Sequence, residues 1–152
     1  MIAVIERINS ARVYADGILT ADVGKGLYIL LGVSEEDGEQ DALVLAEKIA
    51  KLRIFSDSLG KMNLSVEDIG GSCAVVSNFT LLANYKHGNR PDYLSAAKPT
   101  IASRLYELFV QELKKRVKNV QTGKFGADMR SEKSTDGPVT IVMDSKLLIK
   151  AR

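Results

Sequence analysis

Seven consecutive residues, Leu27-Tyr28-Ile29-Leu30-Leu31-Gly32-Val33, form an apolar run without charge and without polar alternation. Side chains on a strand point alternately to opposite faces, so a run of this kind is stable only where both faces are covered. It reads as a central strand suited to burial on both sides. The chain has the means to cover it, since 152 residues that are 45% hydrophobic and 26% charged can bury a real core. One domain spanning 1–152 is expected, with a basic tail over about 146–152.

Around this run the first third reads as β-structure. Met1 to Ile8 and Ala11 to Tyr14 are strand-like, Asp16-Gly17 is a hairpin signal, and Leu19 to Val23 answers it. From Glu39 to Leu52, Ala42, Leu43, Leu45, Ala46, Ile49 and Leu52 recur at helical spacing and predict an amphipathic helix packed on the sheet. Arg53-Ile54-Phe55 resumes extended structure before a turn at 57–60, and Gly70-Gly71 precedes a central strand from Ser72 to Leu82. A polar loop over 83–99 is longer than a connection requires, and loops of that length are often functional. Ile101, Leu105, Leu108, Phe109 and Leu113 mark a second helix, and 127–134 and 139–143 read as two closing strands. Many strands, two helices and no regular alternation between them predict an α+β fold with a mostly antiparallel, barrel-like sheet.

Composition excludes several chemistries. With one His and one Cys, no His/Cys zinc site of ordinary spacing can be built. The chain contains neither a Gly-x-Ser-x-Gly elbow nor a phosphate-binding Walker sequence. Cys73 lies in an apolar run and reads as a small buried hydrophobe, while His87 sits in a basic loop where a solvated or phosphate-touching role fits best. No cofactor or metal is expected. The apolar runs are shorter than a membrane span, and the first residues lack the pattern of a signal peptide, so a cytoplasmic location without membrane association is expected. A net charge of +2 permits nucleic-acid contact without requiring it. Its candidates are Lys86, His87 and Arg90 in the loop, Lys114-Lys115-Arg116 with Lys118 after the second helix, and the tail.

Two stretches stand at the ends of apolar runs: Ser77-Asn78-Phe79-Thr80-Leu81 and Asp136-Gly137-Pro138-Val139-Thr140. Together with Lys61-Met62-Asn63-Leu64-Ser65, Gly88-Asn89-Arg90-Pro91 and Gly123-Lys124-Phe125-Gly126-Ala127-Asp128-Met129, they resemble the D-aminoacyl-tRNA deacylases over most of the chain. That family hydrolyses the ester between a D-amino acid, or glycine, and the 3′ end of tRNA. The resemblance implies a homodimer with active sites at the subunit interface. It assigns Ser77, Asn78, Phe79 and Thr80 to catalysis, through main-chain N–H groups around Phe79 and Thr80 that face the ester. An aminoacyl ester is already activated, so oriented donors and water, assisted by the adenosine 2′-OH, suffice without a strong acid or base.

The same resemblance implies that Gly137 and Pro138 form a cis element reaching into the neighbouring subunit's pocket, where it rejects an L side chain by obstruction. Phe125, Gly126, Ala127 and Met129 would enclose the terminal adenosine. Arg7 would tether the Gly-Pro element. Read without the resemblance, Asp136-Gly137-Pro138 is an ordinary turn, and Phe125 and Met129 are core residues. The chain departs from the family pattern at Asn78, where Gln is usual, and at Thr135, where Asn is usual. Two other readings stay open: an editor of related fold with another amino-acid preference, and a non-catalytic module that binds RNA ends.

Overall fold

The computed structural model describes residues 1–149, so Lys150 and Arg152 of the expected basic tail lie outside the described residues. Strand β1 (Ile2–Ala15) turns at Asp16-Gly17 into β2 (Ile18–Val23), and the chain continues through β3 (Gly26–Gly32) to helix α1 (Glu39–Ala50). Asp16 and Gly17 both have positive φ, 50° and 80°, the geometry that matches a two-residue hairpin to strand twist. A small hairpin of β4 (Phe55–Ser56) and β5 (Met62–Leu64) follows, then β6 (Ser72–Ser77). A 3-10 turn over 79–82 leads to the long loop, helix α2 (Pro99–Lys114), β7 (Asn119–Thr122) and β8 (Met129–Asp144).

The fold is α+β with two helices, as expected, but the sheet is mixed. β1 pairs antiparallel with β2, β3 and β8, whereas β3–β6 and β6–β7 pair parallel. This corrects the mostly antiparallel expectation. Helices α1 and α2 each supply the long crossover that returns the chain in the same direction, as parallel neighbours require. The strand β7 was not expected at all, because only Val120 of its four residues is buried and no apolar run announces it. The two expected closing strands are one strand, β8, hydrogen-bonded to both halves of β1. Order β2-β1-β3-β6-β7 curls into a nearly closed barrel, and the Asp22 N–H on β2 reaches Gln121 Oε1 beyond the gap at 2.7 Å.

β3 is covered on both faces, and the two coverings differ. Leu27, Ile29 and Leu31 join Leu45, Ile49, Leu105 and Phe109 of the helices, together with Cys73 and Val75 of β6. Tyr28 faces the inside of the curl with Ile8, Val13, Val23, Ala74 and Val76, and Leu30 packs against that cluster. Among the described residues no helix is long and apolar enough to cross a membrane.

A buried polar cluster ties α1 to the end of the chain. Asp41 accepts from the Gly38 N–H at 2.9 Å, from Ser145 Oγ at 2.6 Å and from Lys146 Nζ at 3.1–3.2 Å. The Met1 amino group lies 2.7 Å from Asp37 Oδ1, an oxygen that takes no aligned hydrogen bond. Burial pushes the Asp41 carboxyl up, but the Gly38 N–H, Ser145 and Lys146 together hold it below the usual carboxylate range. A lowered folded-state pKa adds stability at neutral pH that is lost as pH falls through that value. Asp41→Asn is expected to lower unfolding stability at pH 7 by about 2 kcal/mol. Below about pH 4 the gap to the parent should narrow, measured by urea unfolding at each pH.

Candidate active site

All three parallel strands end at one place. The C-terminal ends of β3 and β6, the first turn of α2 and the segment 125–129 after β7 enclose a cavity of about 680 Å³. Crossovers from parallel strands open on the same end of a sheet and leave a crevice there. Ser77, Asn78 and Phe79 line it from one side, and Phe125, Gly126, Ala127 and Met129 line it from the other.

Local chemistry fixes the first of these segments. Asn78 is extended, its N–H donates to Leu31 O at 2.8 Å, and its Oδ1 caps the following turn by accepting the Thr80 N–H at 3.2 Å. Thr80 Oγ1 donates to the same Asn78 oxygen. The shorter amide thus reaches its partners directly. The turn rests on Gly32, where an added Cβ would lie 2.6 Å from Leu82 Cδ2 and 3.0 Å from Asn78 O. Among the described residues no acceptor takes the Phe79 N–H. The Phe79 ring stands edge-on to Tyr93 at 5.0 Å between centroids.

Thr80 is not brought to the cavity; it is exposed, with both its N–H and its hydroxyl turned to Asn78. Phe125 serves in two places, lining the cavity and packing on the helix-side core, with its ring 5.8 Å from that of Tyr106. Met129 does the same against the curl-side cluster. Sequence reasoning missed Tyr93, Lys98, Tyr106 and Asp128 on the lining. Among the described residues Asp128 and Lys98 are its only carboxylate and ammonium. Asp128 adjoins Met129 within a recognised segment and was within reach, whereas Tyr93 and Lys98 gave no local signal. Tyr106 donates to Val75 O at 2.8 Å, and burial pushes its ionisation far up, so it acts as a neutral hydroxyl. Burial likewise pushes the Cys73 thiol up to about 12, which leaves no reactive thiolate there at neutral pH.

The second segment lies elsewhere on this chain. Pairing of β1 with β8 skips from Ile8–Thr135 to Glu6–Thr140, so Asp136 to Val139 bulge out opposite Arg7. Within the bulge the Gly137–Pro138 peptide is cis, and both residues are exposed. A Cβ on Gly137 would stand 2.1 Å from the Val139 nitrogen, so only glycine fits. Arg7 holds the bulge from beneath. Its Nε donates to Asp136 O at 3.0 Å and lies 3.1 Å from Asp136 Oδ2, and its other arm donates to Ile54 O at 2.7 Å. Thr135, opposite Ile8, is exposed at the foot of the bulge.

The cavity thus joins a capped turn, whose Phe79 N–H has no acceptor among the described residues, to a wall that includes Phe125 and Met129. Comparison with known proteins assigns the class. The family model described as D-Tyr-tRNA(Tyr) deacylase matches residues 4–144. The D-aminoacyl-tRNA deacylase of Anaeromyxobacter dehalogenans is 51% identical over 97% of this chain and 99% of its own. That of Lactobacillus delbrueckii subsp. bulgaricus is 51% identical over 95% and 99%. Among solved structures, one titled as the c-Myc DNA unwinding element binding protein superposes with TM-score 0.89 at 37% identity, covering 95% of this chain and 98% of that one. A probable eukaryotic D-amino acid tRNA deacylase shares the fold, with TM-score 0.82 at 12% identity over 94% of this chain and 98% of its own. The chain belongs to the D-aminoacyl-tRNA deacylase family and is a hydrolase of D-aminoacyl-tRNA.

The capped turn sets a first expectation. Asn78→Ala removes the acceptor of both Thr80 groups and should lower kcat by about tenfold or more, roughly 1.4 kcal/mol of barrier, with a smaller change in KM. Asn78→Gln keeps the amide and should stay within about tenfold of the parent. Steady-state deacylation kinetics on both variants decide this.

Proposed function

We propose that the cavity holds the aminoacylated terminal adenosine of tRNA with the scissile carbonyl against the Phe79 N–H. The observation that carries this reading is that free donor, on a residue that lines the cavity and whose turn is held by the Asn78 cap and the Gly32 seat. As water attacks, charge builds on the carbonyl oxygen, and a fixed donor stabilises it without reorganising. The adenosine 2′-OH, adjacent to the ester, orients the water and relays its proton, taking it up while passing its own to the departing 3′ oxygen, so that the acyl–O3′ bond breaks and the free amino acid and the tRNA 3′-hydroxyl are released. Phe125 and Met129 enclose the base, with Gly126 and Ala127 allowing its close approach. Ser77 and Asn78 fix the donor's position, and Thr80 steadies the turn from outside. Asp128 serves as a polar wall, so Asp128→Asn should retain activity within about tenfold. A loss beyond a hundredfold in single-turnover hydrolysis would make that carboxylate the general base instead.

Chiral choice follows from the second segment. Gly137 and Pro138 are exposed and remote from the lining of their own chain's cavity, so we assign them to the cavity of a second copy in a two-fold dimer. There the bulge obstructs an L side chain, while a D side chain points away and glycine has none. The reading extends activity to glycine mischarged on alanine tRNA. Exposed Val142, on the same strand and 70% accessible, supports a partner at this surface. Light scattering should return twice the 16.6 kDa chain mass. Arg7→Ala cuts the tie from Asp136 of the bulge to Ile54, and the ratio of D-tyrosyl to L-tyrosyl ester hydrolysis should fall by about tenfold, roughly 1.4 kcal/mol of discrimination. An unchanged ratio in a stable variant would remove the bulge from chiral selection.

A further inference from the structure

The sequence offers three basic clusters for an RNA partner, and the structure treats them unequally. After α2, Lys115 pairs with Glu112 at 2.7 Å, and Arg116 lies 3.3 Å from Glu47 and 4.0 Å from Glu67. Lys146 is drawn into the nest of Asp37 and Asp41. Among the described residues Lys86, His87, Arg90 and Lys98 form no ion pair, nor do Lys114 and Lys118, but Lys86 and Lys98 stand on the lining of two neighbouring hollows whereas Lys114 and Lys118 stand on neither.

Lys86 and Arg90 sit on a built loop. Asn84 and Asp92 exchange main-chain hydrogen bonds at 2.8 and 2.9 Å, and Asn84 Nδ2 donates to Asp92 Oδ2 at 3.1 Å, so the stem of the loop is closed. Its base is anchored to the end of β3, with the Ala97 N–H on Val33 O at 2.9 Å and the Glu35 N–H on Ser95 O at 2.9 Å. The segment 93–98 therefore separates two hollows. Tyr93 and Lys98 line the active cavity, while Leu94 and Ser95 line a second hollow of about 520 Å³ with Tyr85 and Lys86. Tyr85 is 77% exposed and Leu94 82%. The acids beside this hollow are Glu35 and Asp92, and Asp92 is engaged by Asn84 Nδ2 and the Leu94 N–H. An exposed aromatic ring beside unpaired cations, on a rigid stem, is what single-stranded RNA recognises through stacking and phosphate contact.

We propose that the loop 84–92 is the track for the unpaired 3′ strand of tRNA just upstream of the terminal adenosine. Tyr85 stacks on the penultimate base, Lys86 and Arg90 take the phosphates beside it, and Lys98 takes the phosphate at the cavity mouth. This rests on reading the cavity as the aminoacyl-adenosine site and extends it by the next nucleotides.

The test compares two substrates, D-tyrosyl-tRNA and the short ester D-tyrosyl-adenosine, on Tyr85→Ala and on the double variant Lys86→Ala/Arg90→Ala. The ratio of kcat/KM for tRNA to that for the short ester should fall ten- to a hundredfold in each. In the double variant the dependence of log kcat/KM on log salt should flatten by about 0.7 for each phosphate that is no longer neutralised. Lys114→Ala/Lys118→Ala should leave the ratio within twofold. A ratio within twofold of the parent in both loop variants overturns the proposal, as does an equal fall in the Lys114/Lys118 pair. If the parent protein hydrolyses neither ester, the reading of the cavity falls, and the track with it.

Discussion

Everything in this structure follows from having to keep β3 dry on both faces. One face is met by side chains of α1 and α2, and the other by curling the sheet until its own strands cover it. The two solutions are linked, because the helices that shield the outer face are also the crossovers that make β3, β6 and β7 parallel. Parallel neighbours end together. A crevice at that end, walled by Ser77 to Phe79 and by 125–129, is a by-product of the way the core is covered.

The turn at the cavity takes its support from the same source. The Asn78 N–H is bound to Leu31 O, and the turn that carries Phe79 leans on Gly32, the last residue of β3. A main-chain donor is a modest catalytic device, worth little unless it is already aimed when charge develops. In the role proposed for the Phe79 N–H, that aim would come from a strand that is buried at nearly every position. Asn78, one of the two departures from the pattern the resemblance implies, acts within this support as the cap on Thr80.

How much of this could be read from the chain depends on how local each signal is. The hairpin at Asp16-Gly17, the strand through Leu27 and Leu31, and the buried faces of both helices were legible, because each is written in adjacent or periodic residues. Strand direction was not, since nothing in residues 72–77 states that α1 has carried the chain back the same way. β7 was invisible for a simpler reason: its polar residues gain strand geometry only from β6 beside them. Of the site, the segments 77–79 and 125–129 were placed by resemblance, and they meet. Tyr93 and Tyr106 reach the same cavity through tertiary packing alone, and Asp41 is buried by Ser145 and Lys146, which lie about a hundred residues further along the chain.

Strand β8 runs unbroken from Met129, on the cavity lining, into the bulge at Gly137 and Pro138. At about 3.3 Å per residue, it works as a ruler some 25 Å long, ruled against β1 at nearly every step. A single inserted residue between those points would turn one end to the wrong side of the sheet as well as lengthening the span. The cavity wall and the protruding kink therefore keep a fixed spacing, and change in one is tolerated only when the register of the whole rod survives.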